Sequence, residues 1–276
     1  MFITKWSRAG EYIFIKNYSP RSYGAAGHKR KKRMRDTPKA VEKYNNQKRA
    51  EKLQMLMILN FDKGYHVTLD YPKDQRPETY EEAEKNLRKC LYKVSRRLKK
   101  QGIRFKYIAV TERGKRAAAL HHHVIIEGQQ EILMELTDAW GDHWKMSKMY
   151  EDGAYKDLAD YIIKIETKEE QTKGKARYHR SRNLKEPTVR CSLMPGAIKD
   201  DPEIPEGYQL EEGSFVNGYN DILGIRYQSY VVRETIAKPL QKHCKTLQRQ
   251  SAKPKGVQKG KGIFDKIKRL FKKRRD

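Results

Sequence analysis

The stretch ALHHHVIIE, residues 119–127, decides the fold of the central part of this chain. Its apolar and β-branched residues predict a strand, and RFKYIAVTE, residues 104–112, predicts another strand just before it. Only the turn-like RGKRAA separates the two, so we expect a hairpin. Because side chains alternate between the two faces of a strand, His121 and His123 project together, about 7 Å apart, while His122 points the other way.

Two imidazoles on one face of a strand can bind one divalent ion. Glu112 ends the preceding strand, and a hairpin would bring it near His121 and His123, so these three residues form a candidate metal site. From the residues alone, two alternatives stay open. The histidines can be a chance cluster or core residues bonded to polar neighbours, and Glu112 can be a solvated turn residue. The ligand set suits Mg²⁺ or Mn²⁺ beside a phosphate better than a closed structural zinc site.

Outward from this hairpin, the pattern predicts elements in the order β-α-β-β-α-β-α. YHVTLDY, residues 65–71, is the first strand and ends at Pro72. Thr79 and Glu82 have the spacing of a capping box, which opens a helix that stops near Gly102. The remaining elements are a short helix at 131–136, a strand at 144–149 and a helix at 154–168. This order excludes a doubly wound parallel fold and predicts an α+β fold, an antiparallel-rich sheet with flanking helices.

Tyr161, on the last predicted helix, is the candidate nucleophile. It lies at the edge of an apolar stripe in DYIIK, and Lys164 follows one turn later. Because a phenol has a pKa near 10, only about a thousandth is ionised at neutral pH, so a nearby ammonium and a metal-polarised phosphate would assist its attack. The alternative is a boundary tyrosine that packs its ring and hydrates its hydroxyl. Tyr150 and Tyr155 are rival nucleophiles, although neither has a lysine at the matching spacing.

The charge of the chain indicates a polyanionic partner. Its 61 Lys and Arg against 35 Asp and Glu give a net charge of +26, which nucleic acid explains better than a membrane surface does. We divide the chain into a basic, solvated and partly disordered arm at 1–55, an α/β unit at 56–170, a β-rich continuation at 171–236 and a basic tail at 237–276. Candidate contacts with the phosphate backbone are Arg30, Lys31, Lys32, Arg33, Arg113, Lys115, Arg116 and Lys168.

Other protein classes are disfavoured by what the sequence lacks. The three cysteines form no CxxC pair, so neither a zinc ribbon nor a disulfide framework is indicated, and a reduced cytosol is expected. No apolar run approaches the roughly 18 residues that span a bilayer. Without a GxxxxGK[ST] segment we expect no nucleotide cofactor and no helicase motor. The amphipathic helix predicted at 262–275 suits DNA, a protein partner or a membrane surface, and we rank the membrane last.

Taken in order, HVTLDY, LHHHVII and DYIIK resemble the three motifs of HUH-type rolling-circle replication initiators, which occur in small plasmids, single-stranded DNA phages and viruses, and integrative elements. The resemblance covers roughly residues 60–170, and residues 174–187 are similar to the stretch after the catalytic helix in bacterial members. It implies a five-stranded sheet of the ferredoxin- or RRM-like kind. It also implies Mg²⁺ or Mn²⁺ on His121 and His123, with Glu112 as a further ligand. The chain departs from the family at His122, because the middle residue is usually hydrophobic.

The same resemblance implies a metal-dependent enzyme that nicks and rejoins single-stranded origin DNA. Tyr161, with Lys164, would attack the scissile phosphate and leave a 5′-phosphotyrosyl link and a 3′-OH that primes synthesis. Expected partners are origin DNA, a host helicase and the replication machinery, in the cytoplasm of a bacterial host. The alternatives are a single-tyrosine transposase, a conjugative relaxase, or a non-catalytic protein that binds single-stranded DNA.

Overall fold

Two antiparallel sheets and four α-helices build the part of the chain that the structure describes. The structure is a computed structural model and describes residues 1–19, 39–61, 63–114, 119–149, 152–168, 178–220 and 225–235. The chain separates into the units Met1–Ile236 and Ala237–Asp276, and the described residues all belong to the first. The predicted α+β class is confirmed. The predicted tail helix at 262–275 lies outside the described residues.

The order predicted for the central unit is confirmed: it runs β-α-β-β-α-β-α. The helices and strands, in chain order, are β1 Phe2–Ala9, β2 Tyr12–Tyr18, α1 Lys39–Asn60, β3 Tyr65–Leu69, α2 Tyr80–Lys100, β4 Tyr107–Arg113, β5 Leu120–Ile126, α3 Gln130–Trp140, β6 Trp144–Lys148, α4 Lys156–Lys168, β7 His179–Arg180, β8 Thr188–Met194, β9 Tyr208–Leu210, β10 Val216–Asn220 and β11 Ile225–Glu234. The central unit comprises β3 to α4.

Helix α2 begins and ends where its sequence signals predict. The side chain of Thr79 accepts a hydrogen bond from the backbone N–H of Glu82, which satisfies a donor that the first turn leaves free. After Lys100 the chain leaves the helix, and Gly102 takes a φ of 78°, a value that glycine adopts at little cost. The capping spacing and the glycine together therefore fix the length of α2.

The first sheet has β5 at its centre, in the strand order β6-β3-β5-β4-β7, and every neighbouring pair is antiparallel. Helices α2 and α3 cover one face, where Leu87 packs in the same cluster as Val124. Helices α1 and α4 pack on the other face, where Leu53 shares a cluster with Ile125. Since β5 is covered on both faces, its sequence is almost continuously apolar outside the three histidines.

The second sheet was not predicted. Its strand order is β10-β11-β2-β1-β8, and β9 pairs with β11. Strands β1 and β2 form a hairpin around Gly10, and β1 also pairs with β8, far along the chain. Local periodicity can indicate that a segment is a strand, but it cannot identify a partner so distant in sequence. Of the strands in residues 171–236, only β7 joins the first sheet.

Residues 1–55 differ from the expected solvated arm. They contain β1, β2 and most of α1; Phe14 and Ile15 are buried in the second sheet, and Leu53 is buried beneath the first. The basic run at 28–35 lies between β2 and α1, outside the described residues. Its charge dominated the interpretation of the whole segment, whereas the apolar residues on either side of it form core.

Helix α1 packs against both sheets. Leu53 faces the first sheet, while Met55 shares a cluster with Ala9 and Phe14 of the second sheet and with Ala154, just before α4. Among the described residues, no helix combines the length and the apolar composition that crossing a bilayer requires. Helix α1 therefore links the two sheets and supports the start of α4.

Leu53→Ala should lower the free energy of unfolding by about 2 to 5 kcal/mol, because it leaves a cavity in the core between α1 and the first sheet. Gln47 is exposed on the same helix, so Gln47→Ala is the control and should change stability by no more than about 0.5 kcal/mol. Urea unfolding followed by circular dichroism measures both variants. Equally small effects would contradict the packing of α1 in the core.

Candidate metal centre

The β4–β5 hairpin carries the site. In its antiparallel register Glu112 lies opposite His121, and Val110 lies opposite His123. Glu112, His121 and His123 therefore project from one face of the sheet, the face on which α4 packs. The buried residues of β5 hold this register, because a slip of one residue would move every side chain to the wrong face.

The ligating atoms of these three residues converge. Glu112 Oε2 lies 3.0 Å from His123 Nε2 and 3.5 Å from His121 Nε2, and one ligating atom from each residue lies within 4.8 Å of the others. Donor atoms that share an ion at about 2.1 Å are themselves about 3 to 3.4 Å apart, so small side-chain adjustments suffice. Among the described residues, this is the one group of three or more His, Cys, Asp or Glu that could hold a metal ion.

The carboxylate of Glu112 is held in its charged form. Its hydrogen bond with His123 lowers the pKa of Glu112; burial opposes this effect, and the bond from Tyr161 reinforces it. The side chain is only 14% exposed. A buried carboxylate that stays ionised is poised to bind a cation, since a ligand must be deprotonated to coordinate.

Tyr161 reaches the same carboxylate from α4. Its hydroxyl donates a hydrogen bond of 3.0 Å to Glu112 Oε2, and its ring meets that of His123 edge-on, with the centroids 5.5 Å apart. Tyr161 is 42% exposed, so a ligand can approach it from solvent. Burial, followed by the charge of Glu112, raises the pKa of Tyr161 to about 12. In the absence of a cation the hydroxyl therefore stays protonated and acts as a donor.

The middle histidine of the motif points away from this cluster. His122 is completely buried on the opposite face, where Tyr71 Oη lies 2.7 Å from Nε2 and Thr111 Oγ1 lies 2.9 Å from Nδ1. Burial, followed by the charges of His121 and His123, lowers the pKa of His122 to about 3. Both ring nitrogens have partners and the ring is neutral, which explains how a histidine fills a position that is usually apolar in the resembling family.

His66, on β3, belongs to the site but was missed in the sequence. Its Nε2 lies 3.0 Å from His123 Nδ1, and the two rings stack with centroids 5.1 Å apart. Burial, followed by the charge of His123, lowers the pKa of His66 to about 4. The signal was present in HVTLDY, where alternation places His66 and Thr68 on one face, but nothing local shows that this face meets His123.

The structure describes only some of the predicted phosphate contacts. Lys164 is exposed on α4, one turn after Tyr161, and Lys168 is the last residue of that helix. Arg113 is exposed at the end of β4, where alternation places it on the face opposite Glu112. The others lie outside the described residues: Arg30, Lys31, Lys32, Arg33, Lys115 and Arg116.

The rival tyrosines are placed differently from Tyr161. Tyr155 is only 8% exposed and packs in the core cluster of α1 and α4, so its hydroxyl does not face solvent as that of Tyr161 does. Tyr150 lies outside the described residues. Ala154 and Tyr155 have φ angles of 51° and 63°, a left-handed backbone that is costly for residues other than glycine and that turns the chain into α4.

Glu112→Gln should weaken Mn²⁺ binding by more than about tenfold, because it removes the negative charge from the set of three ligands. Isothermal titration calorimetry of the full chain measures this affinity. Glu84→Gln is the matched control, since Glu84 also bonds an imidazole, that of His179 at 3.0 Å, outside the cluster. Equal affinities for Glu112→Gln and the unmodified chain would contradict the metal centre.

Comparison with known proteins identifies the segment that contains this cluster. Residues 64–170 match the family model of the replication-associated protein ORF2. No curated protein and no solved structure matches the chain. The matched segment covers less than half of the chain but includes Glu112, both outer histidines and Tyr161, and the resemblance drawn from the three motifs is confirmed. Residues 64–170 therefore belong to the ORF2 family of replication-associated proteins, a rolling-circle Rep family.

Proposed function

We propose that this chain is a rolling-circle replication initiator, a metal-dependent endonuclease and strand transferase that nicks single-stranded origin DNA and rejoins it. One observation carries the proposal: Oε2 of Glu112 is shared by the hydroxyl of Tyr161 and by the imidazoles of His121 and His123. A tyrosine that only packed at a helix boundary would not need to end on a three-residue metal cluster. The family match of residues 64–170 supports a role in replication.

The proposed ligands are Glu112, His121 and His123, and the proposed ion is Mg²⁺ or Mn²⁺. Three protein ligands leave coordination positions open for water and a phosphate oxygen. When bound, the ion would supply positive charge that polarises the scissile phosphate. The half-exposed side of the cluster at Tyr161 is open to a flexible single strand.

The proposed role of Tyr161 is nucleophilic attack. Its hydroxyl oxygen bonds to phosphorus while the bond from phosphorus to the 3′ oxygen breaks, which gives a 5′-phosphotyrosyl link and a free 3′-OH. The phenolic proton passes through solvent to the departing 3′ oxygen. Glu112 orients the hydroxyl through the 3.0 Å hydrogen bond, but a carboxylate is too weak a base to hold the proton of a phenol whose pKa is about 12. The proton therefore leaves as the new bond forms.

The surroundings of Tyr161 suit a DNA substrate. Lys164 lies one turn along α4, where its ammonium would stabilise charge on the phosphate. One phosphodiester is exchanged for another, so the reaction needs no nucleotide cofactor, and rejoining is the same step reversed. The freed 3′-OH would prime synthesis by the host replication machinery, with a host helicase to open the duplex, in the bacterial cytoplasm. Termination would use a second subunit or Tyr161 again.

Tyr161→Phe should reduce covalent protein–DNA product by at least about a thousandfold, because the ring stays but the attacking oxygen is lost. The substrates are labelled single-stranded oligonucleotides that tile the DNA encoding the chain and, because an origin can lie elsewhere, the rest of the element that carries it. The product is a shifted band that survives denaturant, formed with Mn²⁺ and absent with chelator.

Tyr92→Phe is the control, since Tyr92 is 69% exposed on α2 and takes no part in the cluster; its yield should equal that of the unmodified chain. A covalent band that persists in Tyr161→Phe would assign the nucleophile to another residue. Tight binding to every oligonucleotide, with no covalent product from the complete set, would favour a non-catalytic protein that binds single-stranded DNA.

A further inference from the structure

His66 lies directly behind His123. In the register of β3 and β5, Thr68 is opposite His123 and His66 is opposite Ile125, so His66 projects from the same face, one pair further along. The two rings stack with an interplanar angle of 20°, and His66 Nε2 lies 3.0 Å from His123 Nδ1. The contact therefore joins one ring nitrogen of each residue.

The two nitrogens of His123 have different neighbours. Nε2 faces the carboxylate of Glu112 at 3.0 Å, and Nδ1 faces His66. An ion shared with Glu112 must therefore bind Nε2, so a ligating His123 must carry its ring proton on Nδ1. His123 is only 6% exposed, and a buried N–H without an acceptor is costly. The acceptor at hydrogen-bonding distance is Nε2 of His66.

We propose that His66 is a positioning residue for metal binding, which holds His123 in the Nδ1-protonated tautomer and so turns its Nε2 lone pair toward the ion. This inference rests on the proposed function and assigns a chemical role to HVTLDY, the first of the three motifs. A group that accepts the second N–H of a ligating histidine commonly raises metal affinity by fixing the orientation of the ring.

The protons balance in the neutral pair. Without metal, His66 Nε2–H can donate to His123 Nδ1 while His123 Nε2–H donates to Glu112. With metal, His123 Nδ1–H donates to His66 Nε2, and His66 carries its own proton on Nδ1. Each imidazole has one proton in both arrangements, so a change of tautomer exposes the lone pair without a net release of protons from the pair.

The neighbouring histidines show that this arrangement is specific to His123. Both nitrogens of His122 have partners on the opposite face, Tyr71 and Thr111, which leaves no lone pair for an ion at the cluster. His121 Nδ1 faces only the carbonyl oxygen of Ala119, at the long distance of 3.5 Å. Of the two proposed imidazole ligands, His123 is thus the one that a close second residue orients.

The test compares two replacements of His66 in the full chain by calorimetric titration with Mn²⁺. His66→Phe keeps a ring but has no acceptor, and it should weaken binding by about 10- to 100-fold. His66→Gln places an amide oxygen near the position of Nε2, and it should restore affinity to within about threefold of the unmodified chain. His179→Phe is the control, because His179 is also partly buried and bonds to Glu84 outside the cluster, and its affinity should not change.

Nitrogen-15 NMR of the histidine rings in the unmodified chain adds a measurement that does not depend on how the variants fold. In the Mg²⁺-loaded protein, His123 should be protonated at Nδ1. Protonation at Nε2 would overturn the proposal, as would unchanged affinity in His66→Phe or an equal loss in the Phe and Gln variants. Normal binding by His66→Phe would overturn only this inference, whereas no Mn²⁺ binding by the unmodified chain would overturn the proposed metal centre as well.

Discussion

A single carboxylate oxygen, Oε2 of Glu112, is the atom on which the arrangement of the site depends. It interacts with the imidazoles of His121 and His123 and accepts a hydrogen bond from Tyr161, although the side chain is mostly buried. A buried negative charge is costly unless such partners surround it. The partners come from three elements, β4, β5 and α4, so the charge is stable only if the hairpin register and the position of the helix are both correct.

The remainder of the described fold secures those two requirements. The central position of β5, covered on both faces, fixes the register that sets Glu112 opposite His121. The start of α4 is held from the other side, because Ala154 packs with α1 and with Phe14 of the second sheet. The left-handed backbone at Ala154 and Tyr155 then sets the direction of α4 and with it the approach of Tyr161. The second sheet thus contributes to the site without supplying a residue to it.

The sequence was sufficient for the features that depend on local periodicity. Alternation in LHHHVII separated His121 and His123 from His122, and helical spacing found α2 and α4. It was not sufficient where contacts are distant in sequence: the pairing of β1 with β8 left the second sheet unrecognised, and the contact of His66 with His123 crosses from β3 to β5. The basic run at 28–35 also misled, since net charge describes solvation and partners but says nothing of the apolar strands and helix beside it.

The most direct test of the account is to locate the DNA adduct on the chain. After reaction with origin oligonucleotide and Mn²⁺, nuclease and trypsin digestion should leave a nucleotide on one peptide, which mass spectrometry identifies. Cleavage after Lys156 and Lys164 gives DLADYIIK, in which Tyr161 is the only tyrosine, whereas Tyr150 and Tyr155 fall together in MYEDGAYK. The account predicts the nucleotide on DLADYIIK. A nucleotide on MYEDGAYK would contradict it, because the residue that attacks would then not be the one bonded to Glu112.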